Sequence, residues 1–451
     1  MLFNSHIFML LFLPLLLAGW YFLNWKKKFQ LAQGYLIGMS LWFYAYANLQ
    51  YLWLLLFSCL IGWLLSCLPE KIFSEKGKKV LTGVGCVFHL GLLGYFKYSN
   101  FFLENLNTVF HTDFPMLQIL LPVGISFYTF QQLAYLIDRC RGDAPRDSFF
   151  DYLTFMVYFP QLLQGPILLR SEFMGQLKEP ERRRFHAERF SEGIQFFVFG
   201  LAKKVLLADT LAKAVNYGYS NVSMLDSISA LLLAVGYLTE LYFDFSGYCD
   251  MAVGLGKMIG LEVAENFDAP FHSASVKEFW RRWHMTLGRF FTRYVYIPLG
   301  GNRRGKMRTL CNVMIVMLLS GLWHGAAWTF VLWGFLHGVG MIWDNLEHPH
   351  LPKKWMRQAA TFAYVCMTFV FFRAESIAQG FDVLKSIVSL KWNGFVFQMA
   401  SALDMTEFYM ITKALSMKLP GLLSWFWLGI FVVLIAICFR VLSGEKVSGV
   451  V

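Results

Sequence analysis

Two histidines in this chain stand where an imidazole can do acid–base work. His284 closes the run Trp280-Arg281-Arg282-Trp283-His284, and His324 lies in Ser320-Gly321-Leu322-Trp323-His324-Gly325-Ala326-Ala327-Trp328. Fifteen residues, most of them apolar, separate Arg308 from His324. As a straight helix they cover about 22 Å, which carries the imidazole deep into a hydrocarbon core of about 30 Å. A neutral imidazole there accepts a proton without holding a permanent charge. Gly321, Gly325 and Ala326 leave room for a ligand beside it. A histidine in such a place either packs against its neighbours or takes a proton, and spacing alone does not separate the two.

Three carboxylates, Glu240, Asp244 and Asp250, interrupt a long apolar run, with Glu240 and Asp244 four apart on one helical face. Carboxylates at that depth are costly unless paired or facing a cavity. They are read either as partners for the Arg and Lys residues of 277–293 or as the lining of a substrate tunnel. Gly254-Leu255-Gly256 begins like a dinucleotide fingerprint but is followed by Ile259, so Gly256 and Gly260 read as a small-residue packing face. The eight cysteines lack C-x-x-C spacing and read as buried small residues, not as disulfides or zinc ligands.

The elements that carry these residues must be membrane helices. Of 451 residues, 57% are hydrophobic and 15% charged, with 46 Phe and 15 Trp; mean hydropathy is +0.48. Soluble domains sit near 45–50% and about 25%. A cytosolic globular enzyme and a disordered chain are excluded. The net charge of +11 lies in short clusters between apolar runs: Lys26–Lys28, Lys71 to Lys79, Arg139 to Arg146, Arg182–Arg184, Arg303–Arg308 and Lys353–Arg357. That is the pattern of cytoplasmic loops, not of a nucleic-acid-binding stripe. Positive charge follows the first apolar run, Ile7 to Leu23, so it reads as a retained span and not a cleaved leader.

Spans are expected near 7–24, 30–46, 49–66, 80–97, 117–136, 190–208, 228–256, 309–323, 326–344, 358–373 and 422–440, with the second and third forming a hairpin around Asn48. The stretch 151–169 holds Pro160, Gly165 and Pro166 and reads as a re-entrant or broken helix. Residues 262–308 are too polar to span but rich in Trp, Phe and Tyr, which suits amphipathic helices at the membrane interface closed by the turn Pro298-Leu299-Gly300-Gly301-Asn302. The expected fold is an all-α polytopic membrane protein, one integral-membrane domain over 1–451. Peripheral helices occupy about 1–110, a core about 117–345 and C-terminal spans about 356–445.

Several of these segments together resemble one family. They are Tyr242-Phe243-Asp244-Phe245-Ser246-Gly247-Tyr248, Glu265-Asn266-Phe267, Glu278-Phe279-Trp280-Arg281-Arg282-Trp283-His284, Tyr296-Ile297-Pro298-Leu299-Gly300-Gly301-Asn302-Arg303 and Gly321-Leu322-Trp323-His324-Gly325. They closely resemble the membrane-bound O-acyltransferase (MBOAT) family, and within it the bacterial branch that O-acetylates alginate and peptidoglycan. Tyr158-Phe159-Pro160-Gln161 and Phe371-Phe372-Arg373-Ala374-Glu375-Ser376 are similar to that branch too. The resemblance implies about eleven transmembrane helices plus re-entrant helices around a central funnel. It implies that His324 is the catalytic histidine and His284 a second functional one. Trp323, Trp283, Arg282, Asp244, Ser246, Asn266 and Gln161 are candidates for lining the tunnel, and Arg281, Arg282, Arg289 and Arg293 either for holding a phosphate-bearing carrier arm or for anchoring the chain at the cytoplasmic face. It further implies acetyl-CoA or another acyl thioester as donor and no metal. The implied partners are a cytoplasmic acyl donor, a periplasmic acetyltransferase, an envelope polysaccharide as acceptor and the lipid bilayer; the implied location is the bacterial inner membrane. D-alanyl transfer to teichoic acid is the alternative within the family. A transporter is the alternative outside it, though no matching halves or repeats stand out.

Overall fold

The computed structural model describes residues 1–67, 75–346 and 353–441. These residues form helices joined by turns and loops, with no strand among them. Lys71 of the second basic cluster, the side chain of Cys438 and residues 442–445 of the expected C-terminal spans lie outside the described residues. No disulfide occurs among the described residues. The chain divides into two compact units. One comprises Met1–Gly200, Tyr248–Glu265 and Arg289–Tyr294, and the other Leu201–Gly247, Asn266–Gly288 and Val295–Val451.

In the first unit, α1 (Leu13–Trp25) packs on α2 (Phe29–Cys67). Phe8, Phe12, Leu16 and Trp20 recur every four residues and are fully buried, yet the opposite face shows Leu10 at 76% and Phe22 at 56% exposure. An outward face this apolar is solvated by lipid, not water. The hairpin expected around Asn48 does not form: α2 is one helix of 39 residues, about 58 Å long. No Gly or Pro lies between Gly38 and Gly62 to break it, and only its half Leu49–Cys67 is apolar enough to span.

Helix α3 (Glu75–Leu93) likewise runs on through a π-helical turn, Gly94–Tyr98, into Ser99–Phe110, so the exit expected near Asn100 lies inside a helix. The span expected at 117–136 starts late, at α4 (Ile125–Arg141), because Pro122 has no N–H to donate and Gly124 takes a left-handed φ of 80°. The stretch 151–169 is broken, with helices at Phe149–Val157 and Phe159–Leu162 and irregular chain up to Arg170. Its backbone is buried in protein, where the Tyr158 hydroxyl donates to the Leu261 carbonyl at 2.8 Å. Gly254 serves close packing: a Cβ there would lie 2.5 Å from the Gly193 carbonyl oxygen, and one at Gly193 would lie 2.7 Å from that of Gly254.

In the second unit, α5 (Ser227–Ile259, of which the part up to Gly247 belongs here) is capped by Asp226. One carboxylate oxygen of Asp226 accepts from the Ser229 N–H at 2.8 Å, and the other from the Asn393 and Gly394 N–H groups at 3.0 and 3.1 Å. Helix α6 (Val276–Arg282) begins at a Ser-x-x-Glu signature. The Ser275 hydroxyl accepts from the Glu278 N–H at 3.1 Å, and the Glu278 carboxylate accepts from the Ala274 N–H at 2.8 Å. Such a start contributes about 1 kcal/mol. After His284 the chain re-enters a helix at α7 (Met285–Phe291).

Helices α8 (Lys306–His324) and α9 (Trp328–Asn345) form a close hairpin against which α10 (Lys354–Arg373) packs. The hairpin is set by glycines. A Cβ at Gly321 would lie 2.3 Å from the Phe330 carbonyl oxygen, and one at Gly334 would lie 2.4 Å from that of Met317. Only hydrogen fits at either place, so the two backbones nearly touch. A Cβ at Gly325 would lie 2.1 Å from the Phe330 ring. Gly321 and Gly325 therefore fit helix against helix and leave no ligand space, which corrects the sequence reading. Among the described residues five stretches qualify as spans by length and hydropathy: Phe8–Trp25, Leu49–Cys67, Lys76–Phe110, Ser227–Ile259 and Lys306–His324. Helices α9 and α10 are as long, but their Trp, His, Lys and Arg residues lower their hydropathy.

Candidate active site

His324 is the last residue of α8, half-buried where the glycine-tightened hairpin turns toward α9. Its ring stands 4.9 Å from Trp323, 5.2 Å from Trp333 and 5.1 Å from Phe372, all edge-on. His284, 1% exposed, occupies the break between α6 and α7 in the left-handed region at φ 46°. That conformation costs a non-glycine residue about 1–2 kcal/mol. It is held by the Leu287 and Gly288 N–H groups, which donate to the His284 carbonyl at 3.0 and 3.1 Å, and by Asn266.

Asn266 sets the chemistry of that imidazole. Its Oδ1 accepts from the Thr286 N–H at 3.1 Å and from the Thr286 hydroxyl at 2.8 Å. A backbone donor fixes the atom as oxygen. The His284 Nδ1, 3.3 Å from the same oxygen, must then carry its hydrogen and donate, which leaves Nε2 as the basic nitrogen. Complete burial pushes this imidazole down from 6.5 to about 3, so it is neutral across the physiological range. The His284 ring is 6.2 Å from Trp323, and Trp323 is 4.9 Å from His324. One indole thus touches both imidazoles, whose centroids lie within 11.1 Å of each other.

A third histidine belongs to this cluster and escaped the sequence reading. His337, fully buried, is 4.8 Å from Trp333. The Trp280 indole N–H donates to its Nδ1 at 3.2 Å, so Nε2 carries the hydrogen and donates to the Thr368 hydroxyl at 2.9 Å. That hydroxyl in turn donates to the Val365 carbonyl at 2.8 Å. His337 and Trp333 are four residues apart on one face of α9, a spacing visible in the sequence but indistinguishable there from core packing.

The other expected residues take varied places. Trp283 is buried among Phe267, Phe271, Phe279 and Phe369. Ser246 is 1% exposed with its hydroxyl unpaired, next to Phe245, whose ring is 4.7 Å from His284. Gln161 belongs to the first unit, where its amide donates to the Phe155 carbonyl. Asp244 does not pair with the 277–293 region. Its side chain is 42% exposed and bound by Lys204, which a π-helical turn, Lys203–Ala208, presents to both Asp244 and Asp209.

The arginines proposed for an anionic arm are largely engaged. Arg282 meets Glu278 at 3.1 Å and Asp268 at 3.6 Å. Arg289 grips Glu172, and Arg293 bridges Asp138 at 3.0 Å and Asp143 at 2.9 Å. These pairs fix the interfacial helices. Among the described residues no three His, Cys, Asp or Glu side chains are placed to hold a metal ion.

The sequence profile of MBOAT, the membrane-bound O-acyltransferase family, matches residues 141–381. The chain belongs to that family. Asn266, His284, His324, Trp333 and His337 all lie inside the matched segment. The MBOAT chain is 35% identical over 423 residues to the peptidoglycan O-acetyltransferase of Helicobacter pylori, covering 86% of this chain and 80% of the relative. It is 39% identical over 389 residues to the probable alginate O-acetylase of Azotobacter vinelandii, covering 84% and 76%. The teichoic acid D-alanyltransferase of Bacillus subtilis is more distant, at 28% over 271 residues, 56% of this chain and 69% of the relative. The protein is thus an O-acyltransferase crossing a membrane several times.

Proposed function

We propose that this acyltransferase takes an acetyl group from a cytoplasmic thioester, acetyl-CoA or an acyl carrier, for O-acetylation of a cell-envelope polysaccharide. Its place is the bacterial inner membrane, and an extracytoplasmic acetyltransferase completes the transfer to a peptidoglycan or alginate-like acceptor. The relatives named for those two polymers, each aligned over more than four-fifths of this chain, support the acceptor class.

The observation that carries the chemistry is one indole, Trp323, in contact with both imidazoles. In our reading, His324 takes the proton of the acceptor hydroxyl as its oxygen attacks the thioester carbonyl carbon. The carbonyl π pair moves onto oxygen. When the carbonyl re-forms, the C–S bond breaks and the thiolate recovers the proton from the imidazolium, so ester and thiol leave together. His284, neutral and with Nε2 unprotonated, accepts a hydrogen bond from a second hydroxyl of the acceptor and so aims the reacting one. The aromatic surround excludes water that would otherwise hydrolyse the thioester.

The test is His324→Ala in a deletion strain, reading the rate at which labelled acetate enters base-labile esters of the envelope polymer, per monodisperse protein. Loss of a general base costs 10²–10⁴-fold, so about 1% or less should remain. Wild-type acetylation by this variant removes His324 from the mechanism. D-alanyl transfer to teichoic acid is the second reading, favoured by the similarity to D-alanyltransferases; labelled D-alanine in place of acetate in the same esters would establish it.

A further inference from the structure

Trp333 presents a polar group that the protein itself does not satisfy. The residue is 1% exposed, and its indole nitrogen has no hydrogen-bond acceptor. Buried N–H groups are paired in the great majority of cases, and leaving one unpaired costs about 1–3 kcal/mol. The neighbouring His337 has no free nitrogen to offer it. Both nitrogens of His337, the ring 4.8 Å away, are bound to Trp280 and Thr368. Of its other ring neighbours, Phe369 at 5.5 Å and Phe372 at 5.1 Å offer no lone pair, Trp280 at 5.7 Å offers only a donor, and His324 at 5.2 Å makes no hydrogen bond to the indole. The contrast with Trp280 is instructive: in the same cluster that indole was given an acceptor, and Trp333 was not.

The position of Trp333 suggests the missing acceptor. Its ring centroid stands 5.2 Å from that of His324 at 86°. If His324 takes the hydroxyl proton, the attacking oxygen lies about 3 Å from the imidazole and the carbonyl carbon about 3 Å further on. A carbonyl at that distance from the imidazole is within the radius at which the Trp333 ring stands, 5.2 Å from His324. An indole N–H is a donor with no lone pair to offer and no accessible proton loss. That suits an oxygen that gains negative charge, and the surrounding phenyl rings keep the local dielectric low, where such a bond is strongest.

We propose that the indole N–H of Trp333 donates a hydrogen bond to the carbonyl oxygen of the transferred acyl group and holds it as that oxygen becomes an oxyanion. The inference rests on the acyl-transfer reading of His324. The indole keeps its proton throughout: the carbonyl π pair moves onto oxygen when the C–O bond forms and returns when the C–S bond breaks.

The experiment replaces Trp333 in the full-length protein by Trp333→Phe and, through amber suppression, by 3-benzothienylalanine, which keeps the bicyclic shape and puts sulfur where the N–H stood. Both are expressed in the deletion strain beside wild type and His324→Ala, and the initial rate of labelled acetate entry into envelope esters is read per monodisperse protein. Removal of one oxyanion donor costs up to 10²–10³-fold, so both variants should be slower by tenfold or more, with the benzothienyl protein as abundant and as stable as wild type. A benzothienyl variant working at the wild-type rate beside an inactive His324→Ala overturns the Trp333 proposal alone. A His324→Ala protein that works normally, or a wild type that restores no esters, overturns the acyl-transfer reading and this inference with it. Packing alone cannot mimic the expected result, because the sulfur analogue preserves it.

Discussion

Asn266 offers the sharpest perturbation of the site, because three donors converge on one oxygen. Asn266→Ala removes the acceptor of the Thr286 N–H, the Thr286 hydroxyl and the His284 Nδ1–H. The hydroxyl can rotate toward another acceptor, but the backbone and imidazole donors stay buried. At about 1–3 kcal/mol per unsatisfied buried donor, the two leave the variant about 2–6 kcal/mol less stable. The loss should appear first as weaker protection of the Met285–Phe291 amides in hydrogen exchange. The rate should fall as well, since the imidazole loses the partner that fixes its tautomer. Removing a buried charged partner of that kind costs about 10⁴-fold. A neutral amide stabilises no charge and belongs nearer the 10–100-fold seen for orienting partners of a histidine. Asn266→Asp separates the two effects by keeping the acceptors. A carboxylate about 4 Å from the ring favours the imidazolium by about 4 kcal/mol at an effective dielectric of 20, roughly a thousandfold in proton affinity. His284, held near 3 in the native protein, would then protonate near pH 6. Activity should be intact at pH 8 and about halved at pH 6, and the native enzyme should show no such limb. Acetyl-ester formation against pH is the assay. An unchanged pH profile in a folded Asn266→Asp protein refutes the assigned tautomer.

Three other outcomes are expected. Gly334→Val drives a side chain into the Met317 carbonyl across the α8–α9 hairpin, so it should displace His324 and abolish acetylation at normal insertion, read by acetate incorporation against membrane protein level. Lys26–Lys28 and Arg303–Arg308 face the cytoplasm in our reading, so an impermeant thiol reagent on intact cells should miss cysteines placed at either; labelling at one breaks that topology. The native His284 stays neutral down to about 3 whereas an unfolded one binds a proton below 6.5. The stability it contributes is therefore full above pH 6.5 and declines as pH falls, by about 1.4 kcal/mol at pH 5.5; denaturation in detergent from pH 8 to 5 should flatten in His284→Asn.

How far the fold was legible in the sequence follows from where local signals and tertiary packing agree. The Ser275-x-x-Glu278 start of α6 and the Pro160 and Gly165 breaks were readable because the cause is within a few residues. The turn expected at Asn48 was not formed, since a single Asn among good helix formers is a weak breaker once neighbours pack the helix. The arginines of 281–293 were readable as interfacial, but the carboxylate partners of Arg289 and Arg293, Glu172, Asp138 and Asp143, come from more than a hundred residues earlier in the chain.

The site shows the same division. His284 and His324 stood out because charged or small residues flank them in otherwise apolar sequence. His337 did not, because its neighbours Trp333, Phe369 and Thr368 are what any buried helix face carries. Nor could spacing reveal that Gly321 meets a helix instead of a ligand, since the atom it must clear, the Phe330 carbonyl oxygen, is brought there by the turn after His324. That coupling has a functional consequence. The contact that lets α8 and α9 approach also fixes how far His324 stands from Trp333, nine residues on. The proposed base and the proposed oxyanion donor thus lie on the two arms of one tightly packed hairpin. Their separation is then set by backbone contacts that side-chain motion cannot relax. A group-transfer site that must hold a carbonyl between a base and a donor to within about 0.5 Å needs that kind of rigidity.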